Sequence, residues 1–396
     1  MHTYRGLFAV SEFRALFAGN ASSVAGLTMQ GLALSALVYA QTGSPFLAAL
    51  AYLAGFLPQA AGAASLLSLA DRVPPRGFLA LWDLVRASTA VLLALGDLPV
   101  WGMLALVMTV GLGDAVAGAV RMAVVADLVP RDGFVLARSV LNISVGAMQI
   151  VGFAVGGTLL ATIGAKSALL AAAGFAAGSA AVLRLGLRPH PPTAVGRASL
   201  STTHRGNKQL LGSPPVRAVL IASWVPNGLI VGAEALYVPY AGDQAGTLFV
   251  AAAGGMLVGD VAIGRWVPPT RRTHLAVPLL MLLAAPYLIF IAQPGLWSAA
   301  LIVTTASLGF SATLVLQDRL ISLVPDELRA QAFGLAGSGM MTMQALGAAA
   351  AGSIAELFSP GIAMAAVATA SLLATTVLAR QLRNTAAPVA EDIQQP

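Results

Sequence analysis

Positive charge falls on only one side of this chain's apolar stretches. Twelve such stretches lie near residues 13–38, 45–70, 77–95, 99–122, 136–162, 166–184, 214–240, 246–266, 274–292, 296–318, 329–355 and 360–382, and every second connection between them is nearly free of Lys and Arg. Most are long enough to cross a bilayer, which takes ~20 residues at ~1.5 Å rise each. Of the 22 Lys and Arg residues, all but Arg86, inside the third stretch, and Lys166 mark one side. That side is the cytoplasm by the positive-inside rule. Arg5, Arg14, Arg380 and Arg383 share it with Arg72, Arg76, Arg131, Arg271 and Arg272, so both termini are expected inside and the number of crossings is even.

The fold class this implies is all-α and integral to the membrane, with twelve transmembrane helices. Residues are 58% hydrophobic and only 10% charged, far from the mix of a soluble domain. The net charge of +6 does not point to nucleic acid, because the basic residues are spread thinly over the helix borders with no stripe interleaved with aromatics. The absence of cysteine excludes disulfides, thiolate metal sites and thiol catalysis. The first stretch exceeds a leader's apolar core and runs on toward a second crossing, so it is expected to remain as a helix.

A polar segment rich in Pro, Ser, Thr and Arg divides the chain. The expected organisation is a six-helix half over 1–186, a cytoplasmic linker over 187–213, a second six-helix half over 214–384 and a disordered tail over 385–396. The halves also match at an offset of 195. Leu128, Val129 and Pro130 fall on Leu323, Val324 and Pro325; Ala137 on Ala332; Met148 and Gln149 on Met343 and Gln344; and Gly152, Ala154 and Gly157 on Gly347, Ala349 and Gly352. That makes nine identities over the 30 positions 128–157, where composition alone gives about three. Val73-Pro74-Pro75 matches Val267-Pro268-Pro269 at an offset of 194. Repeats with an even number of crossings share their orientation, the plan of transporters whose pathway runs between two halves.

These features resemble the major facilitator superfamily over essentially the whole chain. Asp71, Arg72 and Arg76 match its signature between the second and third helices, with Leu67 and Pro74 where the family has glycines. Arg121, the run 126–131, Phe13, Arg14, Leu16 and Phe17, and Asp83, Leu84, Arg86 and Ala87 are similar to bacterial exporters of siderophores and macrolides. The resemblance implies proton-driven export of an amphipathic small molecule by a monomer in the bacterial inner membrane, with no cofactor beyond the proton gradient. Gly146, Gly152, Gly156 and Gly157 approximate the glycine-rich motif of family antiporters without its proline, which favours antiport.

Ionisable residues at membrane depth each cost about 2.5–3.5 kcal/mol on insertion scales, so each needs a partner, a wet cavity or a function. Asp83 and Arg86, three apart, share a helix face, either as an internal ion pair or as a substrate or proton site. Asp114 has no partner on its own helix and is the candidate for a carboxyl that titrates during transport. Arg121, two turns along the same stripe, either snorkels to water or takes the conformational role the resemblance implies. Glu234, seven residues after Asn227 and beyond Pro226, either faces a cavity or belongs to an outer gate. Asp260, close enough along its helix to pair with Arg265, is expected to serve with it in gating. Asp71 and Arg72 with Arg138, and Asp318 and Arg319 with Arg329, are expected to hold an inner gate shut. Gln30, Gln59, Gln149 and Gln344 lie in helices that border the cavity in the family fold, and Gln149 and Gln344 are related by the repeat. The four glycines of the repeat match are packing positions first and hinges second.

The leading reading is a secondary transporter that exports its substrate by alternating access. A lipid flippase on the same fold is the alternative. A membrane enzyme is disfavoured, because His2, His190, His204 and His274 all lie in tails, loops or helix borders and offer no base beside a nucleophile. ATP is not the energy source, since no phosphate-cradling glycine loop is present.

Overall fold

A computed structural model of the chain describes residues 4–55, 58, 73–129, 131–189, 207–272, 274–325 and 328–384. Among them every regular element is helical. Lipid offers no water to bond free N–H and C=O groups, so an apolar segment must close its hydrogen bonds within itself. Before the polar segment come α1 (Ser11–Thr42), α2 (Pro45–Leu53), α3 (Pro75–Leu95), α4 (Val100–Leu128), α5 (Arg131–Thr162) and α6 (Ala165–Gly186). After it come α7 (Pro214–Glu234), α8 (Ala245–Trp266), α9 (Ala276–Ala292), α10 (Leu296–Leu323), α11 (Arg329–Leu357) and α12 (Pro360–Asn384). Each expected stretch thus holds a helix, although most of the second stretch beyond Gly55 is outside the described residues, as is Gln59. The ends of the helices that share the side of the termini are called the terminus end below, and the others the far end.

Several helices overrun the sequence expectation at the terminus end: α1 begins at Ser11, α4 reaches Leu128 and α5 begins at Arg131. Apolar length marks only the lipid-facing part of a helix, and polar residues such as Glu12 and Arg131 carry it on into water. A short helix, Tyr4–Ala9, precedes α1. The expected linker also ends in structure: residues 207–212 are helical, and Leu210 is buried in the core of the second half.

Local chemistry sets the boundaries. Proline occupies the first turn of α2, α3 and α7, where its missing N–H costs nothing. Ser44 caps α2 by accepting from the Leu47 N–H at 3.1 Å. Gly43, with φ +66°, ends α1 in the left-handed conformation, its N–H bonded to the Tyr39 carbonyl at 2.8 Å. Helix α9 tightens to a 3-10 helix over Ala285–Ala292, at Pro286, which cannot donate to the α-helical ladder. Within α7, Pro226 leaves the helix continuous, and its own carbonyl accepts from Ser371 Oγ of α12 at 3.3 Å.

The first half is built as a sandwich. One apolar cluster, including Phe13, Leu79, Val120 and Leu183, fills its terminus end, and a second, including Met29, Leu34, Leu93 and Leu169, fills its far end. Between them lies a polar layer drawn from α1, α3, α4 and α6. The cluster of the second half is continuous and reaches across the molecule into the far-end residues Leu32, Ala36, Ala49, Leu53, Phe153 and Leu160 of the first.

Candidate functional site

The polar layer is a fixed charge network. Asp83, Arg86 and Arg121 are each less than a tenth exposed. Arg86 Nη1 lies 3.2 Å from Asp83 Oδ1 on its own helix, while Nε and Nη2 reach Asp114 Oδ1 of α4 at 2.9 and 2.8 Å. Trp82 Nε1 donates to the same Asp114 oxygen at 2.7 Å. Arg86 Nη1 also donates to Ser23 Oγ of α1 at 2.6 Å. Ser179 Oγ of α6 sits 2.5 Å from Asp83 Oδ2 and 2.8 Å from the Gly19 carbonyl. Arg121 donates to Asn20 Oδ1 at 3.0 Å, lies within electrostatic reach of both carboxylates, and keeps a buried Nε without a partner. Two carboxylates and two guanidinium groups therefore balance, the arrangement that makes buried charge tolerable.

Beside this network is a cavity of ≈120 Å³, lined by Gln30, Gly31, Tyr52, Arg86, Thr89 and Asp114 among others. Across the molecule, Gln344 Nε2 of α11 donates to Asn227 Oδ1 of α7 at 2.9 Å. Glu234, at the end of α7, differs from Asp83 and Asp114 of the first half. It is 5% exposed and its Oε1 has no hydrogen-bond partner. Around it stand the phenols of Tyr52, Tyr237 and Tyr287, all within electrostatic reach. Tyr237 and Tyr287 share a hydrogen bond at 2.5 Å.

The halves meet at the far end in a seam with a pseudo-two-fold pattern. A Cβ on Gly157 of α5 would lie 2.7 Å from the Gly246 Cα of α8, and one on Gly352 of α11 would lie 2.7 Å from the Phe46 Cα of α2. Gly157 and Gly352 are the repeat-related pair, and α8 corresponds to α2. Only residues without side chains allow such backbone contact. Glu356 adds a latch: its Oε1 accepts from Ser44 Oγ and, at 3.1 Å, from the Phe46 N–H at the start of α2, where the helix dipole favours an anion. Beneath the seam, the Phe249 ring of α8 stacks on Phe153 of α5 with centroids 4.6 Å apart and packs against Tyr52 of α2 and Tyr237, both at 4.9 Å. In Glu356→Ala the far end is expected to open about two- to fivefold more often. The check is the rate at which an impermeant maleimide labels a cysteine placed at the buried Ala49.

The family profile described as Major Facilitator Superfamily matches residues 16–317, well over half of the chain. The chain belongs to the major facilitator superfamily. Among solved structures, a POT family transporter in complex with 5-aminolevulinic acid superposes with TM-score 0.72 at 11% identity, covering 96% of both chains. A D-xylose-proton symporter gives 0.68 at 14% identity, covering 95% of this chain and 97% of that one. A bacterial homolog of the human lysosomal transporter Spinster, in an inward-facing and unoccupied conformation, gives 0.62 at 15%, covering 95% of both. These similarities establish the major facilitator fold. No curated protein matches the sequence. The protein is thus a multi-pass membrane transporter in which two parallel six-helix repeats are embedded in the bilayer.

Within that fold the expected site residues separate. Asp83 and Arg86 form the same-helix pair their spacing allows, and Gln30 lines the cavity beside them. Asp114 is not a carboxyl without company: its partners come from α3, which spacing along α4 cannot reveal. Arg121 does not snorkel, because Asn20 holds it inside the bundle. Asn227 and Gln344 bond each other, whereas Gln149 is half-buried with no such bond among the described residues. Asp260 and Arg265 form no ion pair. Both are exposed, and five residues along a helix turn side chains ~140° apart.

The expected inner-gate pairs fall partly outside the described residues. Arg319 turns inward and donates to the Leu382 carbonyl of α12 at 2.7 Å, while Asp318 faces outward. Arg76 Nε donates to the Arg184 carbonyl at 2.8 Å, joining α3 to α6 inside the first half. Asp71 and Arg72, and the side chains of Arg138 and Arg329, are outside the described residues. Sequence reasoning passed over Ser23, Ser179, Trp82 and Asn20, which are neutral, and Glu356, whose partners lie more than 300 residues away. It also passed over Glu12, whose carboxylate accepts the Arg188 N–H at 2.7 Å.

Proposed function

We propose that this transporter exports an amphipathic small molecule from the cytoplasm by proton-coupled antiport, its halves rocking about the far-end seam. The carrying observation is that Gly157 and Gly352, related by the repeat, make equivalent contacts across that seam. Two such contacts about one axis break together when the halves tilt, which is what alternating access needs. In this reading the membrane is a bacterial inner one and both termini are cytoplasmic, as the Lys/Arg bias predicts, so the sealed far end is the outer one. The cavity combines an apolar lining from Leu27, Leu34, Val107 and Val110 with the polar groups of Gln30, Thr89 and the Arg86–Asp114 pair, which suits an amphipathic substrate. The balanced network of Asp83, Arg86, Asp114 and Arg121 serves as the rigid wall, and the unpartnered Glu234 is the proton acceptor. Of the expected pathway residues, Gln30 lines the cavity of the first half, and Gln149, Asn227 and Gln344 are assigned to the path between the halves.

The reading is tested in proteoliposomes loaded with a fluorescent amphipathic dye. An imposed pH gradient is expected to drive the dye uphill, and a protonophore to abolish the effect. Uphill movement indifferent to the gradient, or none at all, contradicts it.

A further inference from the structure

The environment of Glu234 identifies the chemistry of the transported molecule. Every other carboxylate of the described membrane interior that is less than an eighth exposed on its side chain, Asp83 and Asp114, already holds Arg86. Glu234 holds nothing, although an ionised carboxylate buried without a counterion costs several kcal/mol. Something positive must meet it. The groups facing it leave that place open. Tyr52 of α2, Tyr237 after α7 and Tyr287 of α9 are neutral phenols. From α11 and α12 the groups that meet α7 are also neutral, Gln344 on Asn227 and Ser371 on the Pro226 carbonyl. The buried arginine of α10, Arg319, is bonded to the Leu382 carbonyl at the opposite, terminus end.

The rings supply a second, independent signal. Tyr52, Tyr237, Phe249 and Phe153 form one contiguous aromatic cluster next to this carboxylate, with neighbouring centroids 4.6–4.9 Å apart. Aromatic faces beside a carboxylate are the chemistry that holds alkyl- or arylammonium-type ions, through ring quadrupoles and one full negative charge. Tyr52 belongs to both features: it borders the ≈120 Å³ cavity and lies within electrostatic reach of Glu234. We propose that Glu234 and these rings form a binding site for a monovalent lipophilic cation, and that this cation and a proton occupy the carboxylate in turn. The inference rests on the transport reading and names its substrate class. The cavity is smaller than the ~300 Å³ of ordinary ligand sites, so loading requires Tyr52 and Phe249 to part, which is the motion that loosens the seam above them.

The test is equilibrium binding of tetraphenylphosphonium to the purified, full-length protein in detergent, where no gradient is involved. Binding is expected to weaken toward acid, approaching tenfold per pH unit, and to release one proton per cation. Glu234→Gln is expected to lose at least tenfold in affinity, Glu234→Asp to retain most of it, and Phe249→Ala to weaken it severalfold. The isosteric anion tetraphenylborate is expected not to compete. Binding by wild-type protein that is independent of pH, or equal displacement by tetraphenylborate, overturns the inference without reference to any variant, as does full affinity in Glu234→Gln. If the cation fails to bind while a neutral dye is still driven uphill by the pH gradient, the cation site is wrong and the transport reading stands. If it binds through Glu234 and no solute is driven, the reverse holds.

Discussion

Replacing Gly352 by leucine is expected to hold the far ends of the two halves apart. The new Cβ would meet the Phe46 backbone at 2.7 Å, and backbone at the start of a capped helix cannot step aside as a side chain would. Overpacking of this kind costs about 1–3 kcal/mol, which shifts the ratio of sealed to open far end by ~5- to 150-fold. Gly157→Leu, against the Gly246 backbone at the same distance, is expected to act alike, because the repeat makes the two positions equivalent. Gly146 tells the difference between a seam effect and a generic loss of helix flexibility. It sits on the same helix as Gly157 with nothing within 4 Å of its would-be Cβ, so Gly146→Leu should leave the equilibrium almost unchanged. Transport rate and impermeant-thiol labelling at the buried Ala49 measure both. Rapid transport and slow labelling in Gly352→Leu would show that the seam carries no conformational weight.

Arg86→Gln is expected to produce the largest loss of stability. It leaves Asp83 and Asp114 buried around the same vacated position, both having relied on one guanidinium. Removing one partner from a buried ion pair typically costs about 3–5 kcal/mol. Thermal unfolding in detergent should register a fall in Tm of many degrees at neutral pH. Adding Asp114→Asn is expected to recover part of the loss, since it removes one of the two stranded charges, and the non-additivity of the pair is the signature of direct contact. Single and double variants that lose stability additively would mean that the network is not coupled as its distances imply.

Spacing along one helix was the readable part of this site, and spacing between helices was not. The three-residue step from Asp83 to Arg86 gave a pair that exists, because neighbours on one face need no knowledge of the fold. The five-residue step from Asp260 to Arg265 was too long for one face and too short for the next turn, and those charges do not pair. Asp114 looked solitary along α4 because its partners, Arg86 and Trp82, come from α3. Helical periodicity tells which face a residue occupies but not which helix lies against it. The fold itself was legible, since charge asymmetry and apolar length are local quantities. The repeat was legible too, and it carried more than topology: the match of Gly157 with Gly352 marked the two contacts that seal the seam. Glu234 could be placed near the far end by counting, but its isolation depends on what the helices packed around it fail to supply.

The central claim is that the two six-helix halves open at one end as they close at the other. The chain has no cysteine, so spin labels can be placed without background at Thr42 and Gln293 for the far end and at Leu185 and Arg380 for the terminus end, all exposed positions on opposite halves. Pulsed electron–electron distance measurements in lipid nanodiscs then follow both pairs in one protein across pH and added tetraphenylphosphonium. The account predicts a short, narrow far-end distance in the resting protein and changes of opposite sign at the two ends when conditions shift. Two distances that lengthen together, or a far-end distance that never changes while transport proceeds, would contradict it.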